Sequence, residues 1–224
     1  MMDKKVLASM LIIAVASMLI GAGTVAYFSD TETSKGNRFT VATGPDLKLS
    51  HSSAGPWTDG VTGTWTLADM KPGNETPTAS VFFKNFGSAS STMTITCNYT
   101  VDEDTNPVES DTDAYTDEQP DEMAKYMVIT YMWYKNDHLS LNCLTGHEGY
   151  SGLTKEDWRV SDTDGDGKIT LYDLKEDPLV NLPSPDTQPD QYYTQLDMRI
   201  KFDENAGNDF QGDIFDLTMI FTLN

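Results

Sequence analysis

Asp162-Thr163-Asp164-Gly165-Asp166-Gly167-Lys168-Ile169-Thr170-Leu171-Tyr172-Asp173 is the stretch of this chain whose residue types and spacing carry the clearest chemistry. Oxygens at positions 1, 3, 5, 7, 9 and 12 of a twelve-residue loop surround a hard divalent cation. Asp162, Asp164 and Asp166 would supply side-chain oxygens, Lys168 its backbone carbonyl, Thr170 a direct or water-mediated ligand, and Asp173 the closing carboxylate. Gly167 permits the sharp turn, and Ile169 would pin the loop to apolar neighbours. The spacing predicts calcium as the cofactor. Asp173 stands where glutamate is usual, and its shorter side chain reaches the metal less easily in the bidentate mode. A lone loop suits ordering a segment in a calcium-rich exterior better than sensing cytosolic pulses.

The other reactive residues form no catalytic constellation. A zinc protease helix needs His-Glu-x-x-His, so that two imidazoles one turn apart hold the metal and the glutamate activates water. His147-Glu148 is followed by Gly149, Tyr150 and Ser151, so the second ligand is missing, and His51 and His138 stand alone. There is no Gly-x-Ser-x-Gly elbow and no phosphate-cradling glycine loop. The reading is that this is not an enzyme. Cys97 and Cys143 have two readings: a single disulfide in an oxidising compartment, or two small buried apolar side chains. Asn74-Glu75-Thr76 and Asn98-Tyr99-Thr100 match the N-glycosylation sequon.

Compartment is read from the N-terminus. Lys4-Lys5 precede an uncharged, largely apolar run, Val6 to Ile20, and the small residues of Gly21-Ala22-Gly23-Thr24-Val25-Ala26 follow it. That order describes an export leader over residues 1–26 with cleavage between Ala26 and Tyr27. The competing reading is an uncleaved anchor, since the apolar run could just cross a bilayer when tilted. Roughly 200 residues remain after cleavage, enough for one substantial core. The chain carries 35 acidic against 15 basic residues, a formal charge of -20, which repels nucleic acid and anionic lipid surfaces. Membrane contact is expected only through an uncleaved leader.

The elements that must position these residues are strands. Period-two alternation is cleanest in Met93 to Val101, and recurs in Tyr192 to Phe202 and Phe215 to Leu223. Shorter candidates are Phe39–Ala42, Asp46–Ser50, Thr64–Leu67, Ser80–Asn85 and Tyr126–Tyr134. Such a series, separated by Gly, Pro, Asn and Asp clusters, predicts an all-β fold, a jelly-roll type β-sandwich with a small calcium-binding helical insertion. Residues 27–37 form an N-terminal segment and 38–224 the domain. Within it, 102–122 is expected to be an acidic solvated loop and 138–190 an insertion holding the metal loop and a short helix over Leu153 to Val160 capped by Thr154.

The metal loop resembles calcium loops of the dockerin type, which tolerate aspartate at the closing position. A wider resemblance runs through Gly21-Ala22-Gly23-Thr24-Val25-Ala26-Tyr27-Phe28-Ser29-Asp30, through Met70-Lys71-Pro72-Gly73-Asn74 with Val81-Phe82-Phe83-Lys84-Asn85-Phe86-Gly87-Ser88, and through Asn208-Asp209-Phe210-Gln211-Gly212-Asp213 to Phe221. These stretches are similar to the TasA/camelysin family. The resemblance implies export by a signal peptidase of the SipW type, a jelly-roll domain, and assembly of copies of the chain, head to tail, into extracellular fibres of a biofilm matrix, as in archaeal bundling pili. In such fibres the mature N-terminus adds as a strand to the next subunit, so the donor strand here would be Tyr27, Phe28, Ser29, Asp30, Thr31, Glu32, Thr33 and Ser34, with Lys35-Gly36-Asn37 as the link. The family also contains a surface metalloprotease. A secreted structural subunit is therefore the first expectation; a monomeric calcium-dependent adhesion or carbohydrate-binding module, using Trp57, Trp65, Trp133 or Trp158, is the second.

Overall fold

The computed structural model describes residues 30–33, 44–66, 70–87, 91–102, 120–185, 193–207, 210 and 213–224. The leader, the cut between Ala26 and Tyr27, the strand expected at Phe39–Ala42 and the acidic stretch 103–119 lie outside them. Among the described residues there are strands β1 (Asp30–Thr33), β2 (Leu47–Ser50), β3 (Ala79–Asn85), β4 (Thr92–Asp102), β5 (Met127–Asn136), β6 (Leu139–Asn142), β7 (Leu179–Pro183), β8 (Thr194–Phe202) and β9 (Ile214–Leu223). Helix α1 (Pro120–Tyr126) precedes β5. A single 3-10 turn (Glu156–Trp158) and helix α2 (Leu171–Glu176) lie between β6 and β7.

Alternation explains why these segments pair. Along β4 the positions of Met93, Ile95, Cys97, Tyr99 and Val101 are buried, while Thr94, Thr96, Asn98 and Thr100 face outward. A strand of that kind needs one dry partner face, and a one-residue slip would turn every apolar side chain into water. The register with β9 is continuous from Met93 opposite Leu223 to Asp102 opposite Ile214. Two antiparallel sheets result, ordered β1-β9-β4-β7 and β2-β3-β8-β5-β6. With β2 set aside as an added edge strand, the orders 1-9-4-7 and 3-8-5-6 are the jelly-roll weave, in which the chain keeps crossing between facing sheets. The core lies between them. Phe83 of β3 and Phe221 of β9 meet edge to face with centroids 4.7 Å apart, each fully buried. Burial of such a ring contributes roughly 2–3 kcal/mol.

Strand β7 covers β4 only between Thr92 and Ile95. Beyond that point the helices take its place: Met123 and Ala124 of α1 and Leu171 and Leu174 of α2 are buried in the same core. The Cys97 thiol donates to the Leu171 carbonyl at 3.3 Å, and Asp121 of α1 accepts both the Tyr99 hydroxyl and the Lys175 ammonium at 2.7 Å.

Three expectations are corrected, and the choice between the two cysteine readings is made. Residues 138–190 are not wholly an insertion, because β6 and β7 are strands of the two sheets. The acidic loop 102–122 ends in a helix from Pro120, whose first turn carries Asp121 and Glu122. Thr64–Leu67 forms no strand over its described residues; Trp65 is half-buried there and its indole N–H donates to the Met198 carbonyl at 3.0 Å. Of the two readings of Cys97 and Cys143 the structure takes the second: both are free and buried, one in mid β4 and the other just past β6 at the edge of the opposite sheet.

Candidate metal centre

The loop 162–173 is suspended between two core anchors. Val160 on its N-terminal side is buried and donates its amide to the Cys143 carbonyl at 2.9 Å; Leu171 on its C-terminal side is buried at the start of α2. The loop's path follows from its aspartates. The Asp162 carboxylate accepts the amides of Gly165 at 2.7 Å and Gly167 at 2.8 Å, one on each oxygen. Asp164 accepts from the Asp166 amide at 3.3 Å, and Asp166 from the Lys168 amide at 2.8 Å. Both glycines hold positive φ, 79° and 84°, a region costly for residues with a side chain. The chain is thereby coiled around a centre. Carboxylate oxygens of Asp162, Asp164 and Asp166, all exposed, lie within 4.8 Å of one another. Like charges at that distance repel, and a cation among them relieves the repulsion.

The remaining expected ligands are placed differently. Asp173 is fully buried, and one of its oxygens accepts the Thr163 amide at 2.8 Å and the Thr163 hydroxyl at 2.6 Å. The other accepts the Thr170 amide at 2.8 Å and the Thr170 hydroxyl at 2.7 Å. Thr170 in return accepts the Asp173 amide, so the pair forms a capping box at the start of α2. Burial opposes the charge on Asp173, but these donors outweigh it and hold its carboxyl below the ordinary carboxylate range. Asp173 thus ties the loop's second residue to its ninth and stands apart from the triad. The Lys168 ammonium ion-pairs with buried Asp203 and lies 3.8 Å from Asp166, leaving its carbonyl as the group to face a cation. No spacing rule pointed to Asp203, which comes from beyond β8.

His147 and Glu148 sit at isolated bridges, opposite Thr154 and Leu141, just before a turn. Glu148 is buried, and its carboxylate accepts the amides of Ser151, Tyr150 (2.8 Å) and Ser140 (3.2 Å); the Ser151 hydroxyl first, then these amides, outweigh burial and bring its pKa down to about 2. A carboxylate so saturated and so weakly basic is poorly suited to activating water. His51, His138 and His147 are exposed, the first against the Thr62 carbonyl. Of the sequon residues, Asn74 is exposed on a turn and Asn98 on the outer face of β4.

The architecture is that of an antiparallel β-sandwich carrying a preformed aspartate loop beside one edge of a sheet. The whole chain, residues 1–224, matches the model of the family described as Camelysin metallo-endopeptidase, and the protein belongs to that family. No curated protein and no solved structure matches it.

Proposed function

We propose that this protein is a secreted structural subunit that polymerises by adding its N-terminal strand to the next copy, with calcium held in the 162–173 loop. The observation that carries this reading is the seat of β1. Among the described residues it is a four-residue strand at the end of its sheet, paired with β9 alone, from Asp30 opposite Leu223 to Thr33 opposite Ile220. Backbone bonds to a single neighbour do not depend on which copy supplies the strand. The same slot therefore suits the equivalent segment of another molecule, and a head-to-tail exchange of this kind runs on without closing. The mature segment Tyr27 to Ser34 is the donor, export by a peptidase of the SipW type frees it, and the product acts at the cell surface or in a biofilm matrix. Family membership supports this reading at the level of the TasA-like members.

Calcium is favoured over a softer metal because the clustered ligands are all carboxylate oxygens. The family's description keeps a peptidase as the second reading, and the commitment of Glu148 to backbone amides argues against that pair as its centre. The test uses Thr31→Cys with Thr222→Cys, positions directly opposite in the β1–β9 register. In assembled material, oxidation should give a ladder of covalently linked chains on a non-reducing gel. Links confined within single chains in material that has formed fibres would refute strand exchange.

A further inference from the structure

The two sheets present contrasting outer surfaces. On β4 and β9 the outward positions include Thr94, Thr96 and Thr100 beside Thr218 and Thr222, a hydroxyl-rich face on which Thr96 donates to the Leu174 carbonyl and Thr94 accepts from Asn224. The outer face of the five-stranded sheet is aromatic and basic instead. Phe82 of β3 meets Tyr193 edge to face at 5.1 Å, and Tyr131 and Trp133 of β5 lie 6.2 Å apart. Lys135 sits over both of the latter rings, at 5.6 and 5.3 Å, and Arg199 over Tyr131 at 5.4 Å. All four rings are left part-exposed. A bulge in β5 produces this arrangement: the register with β8 shifts between Ile129 and Tyr131, so that Met132 and Tyr134 point inward while Tyr131 and Trp133 turn outward.

Charge on this face is cancelled in place. Lys135 pairs with Asp197 at 2.8 Å, Arg199 with Glu75 at 3.1 Å and Lys48 with Asp46 at 2.8 Å. In a chain of net charge -20, two copies approach with least repulsion where cations and carboxylates already neutralise each other. The size is adequate. The five strands, of 4, 7, 9, 10 and 4 residues, at about 3.4 Å per residue and about 4.8 Å apart, offer roughly 550 Å² of sheet per copy, against the ~800 Å² per partner of a standard interface. Tyrosine, tryptophan and arginine are also the residues that dominate binding energy at such contacts.

We propose that the outer face of the five-stranded sheet is a self-association surface, on which the same face of a second copy packs around Phe82, Tyr131 and Trp133. A face that meets itself does so about a two-fold axis. The contact is lateral and lies on the sheet that does not contain β1 and β9, so it is independent of strand exchange and joins fibres side by side where they exist.

The experiment is sedimentation of the full secreted chain, with electron microscopy of any filaments, in the presence of chelator so that metal bridging is not read. Association should strengthen from low to high sodium chloride, because salt screens the net repulsion and leaves the apolar contact intact. Trp133→Glu should weaken it roughly 100-fold and separate bundles into single filaments, since it removes an aromatic anchor and puts a further negative charge into the contact of an acidic chain. Phe82→Lys should act in the same direction, and Thr218→Glu on the other sheet should change nothing, with circular dichroism showing β structure in all three. The proposal fails if the wild type stays as single molecules or single filaments at every salt concentration, or if both face variants associate as it does. It also fails if those variants lose binding to matrix polysaccharide while keeping self-association, which would assign the rings to stacking on sugars.

Discussion

The amide of Ile129 in β5 donates to the carbonyl of Ile169 in the aspartate loop at 2.7 Å, and a bridge between Val128 and Thr170 lies beside it. The loop is therefore joined to the five-stranded sheet through backbone, and ordering it by a cation should stabilise the domain. Calorimetry is expected to find about one calcium site per chain. Asp162→Ala with Asp166→Ala should abolish it, the first by also releasing the amides of Gly165 and Gly167. At calcium a hundredfold above the dissociation constant the gain is about 2.7 kcal/mol, an increase in Tm of roughly 5–10 °C for a domain of this size. Unchanged binding in the double variant would show that the loop is not the site.

Asp173 should matter even without metal. Asp173→Ala leaves the amide of exposed Thr163 and the buried amide of Thr170 without their acceptor and removes the cap of α2, at a cost of about 2–3 kcal/mol. Denaturant unfolding in chelator measures this directly. A loss that appears only when calcium is added would make Asp173 a ligand first.

Acid should weaken the domain through Asp197. Burial disfavours its charge, but Lys135, Ser80 and Gln195 more than compensate and lower its pKa in the folded state. A folded pKa below the unfolded value of about 3.9 gives stability that is complete above roughly pH 5 and lost as pH falls through the folded pKa. Asp197→Asn should flatten the acid limb of a stability curve against pH while leaving other carboxylates to titrate. An unaltered limb would remove Asp197 from the account.

The two thiols should behave as buried, unlinked groups. Burial pushes both Cys97 and Cys143 up to about 12, so little thiolate forms at neutral pH. Alkylation of the folded protein should be negligible, and two adducts per chain should appear at the rate of unfolding. Reductant should leave Tm unchanged. A chain that takes up adducts only after reduction would contain the disulfide.

Long strands with one wet face were legible: the alternation in β4, β8 and β9 appears in the sequence almost residue for residue, because each lies between core and water. The short edge strands β6 and β7 were not legible. β6 has four residues, and β7 carries Asn181 at a positive φ of 55° and ends in Pro183, features that read as loop. Leu153 to Val160 reads as a helix but makes one 3-10 turn with Lys155, not Thr154, before it and no side-chain cap. The clustering of the three aspartates was legible because they are sequence neighbours at alternate positions. The role of Asp173 was hidden, since one spacing fits both the closing ligand of a metal loop and the N3 partner of the Thr170 cap. The aromatic face was hidden too, because the bulge in β5 breaks the period-two count by one residue.

The seat of β1 on its own β9 also sets a clock. If copies exchange this strand as proposed, a slot already filled from within must be vacated before a neighbour's strand can enter, so growth would begin with a unimolecular opening whose rate is independent of subunit concentration. At low concentration, fibre elongation should then rise in proportion to subunit, and at high concentration it should level off at the opening rate. The secreted chain would travel as a self-capped unit, and the plateau measures how firmly four residues of ladder hold the cap.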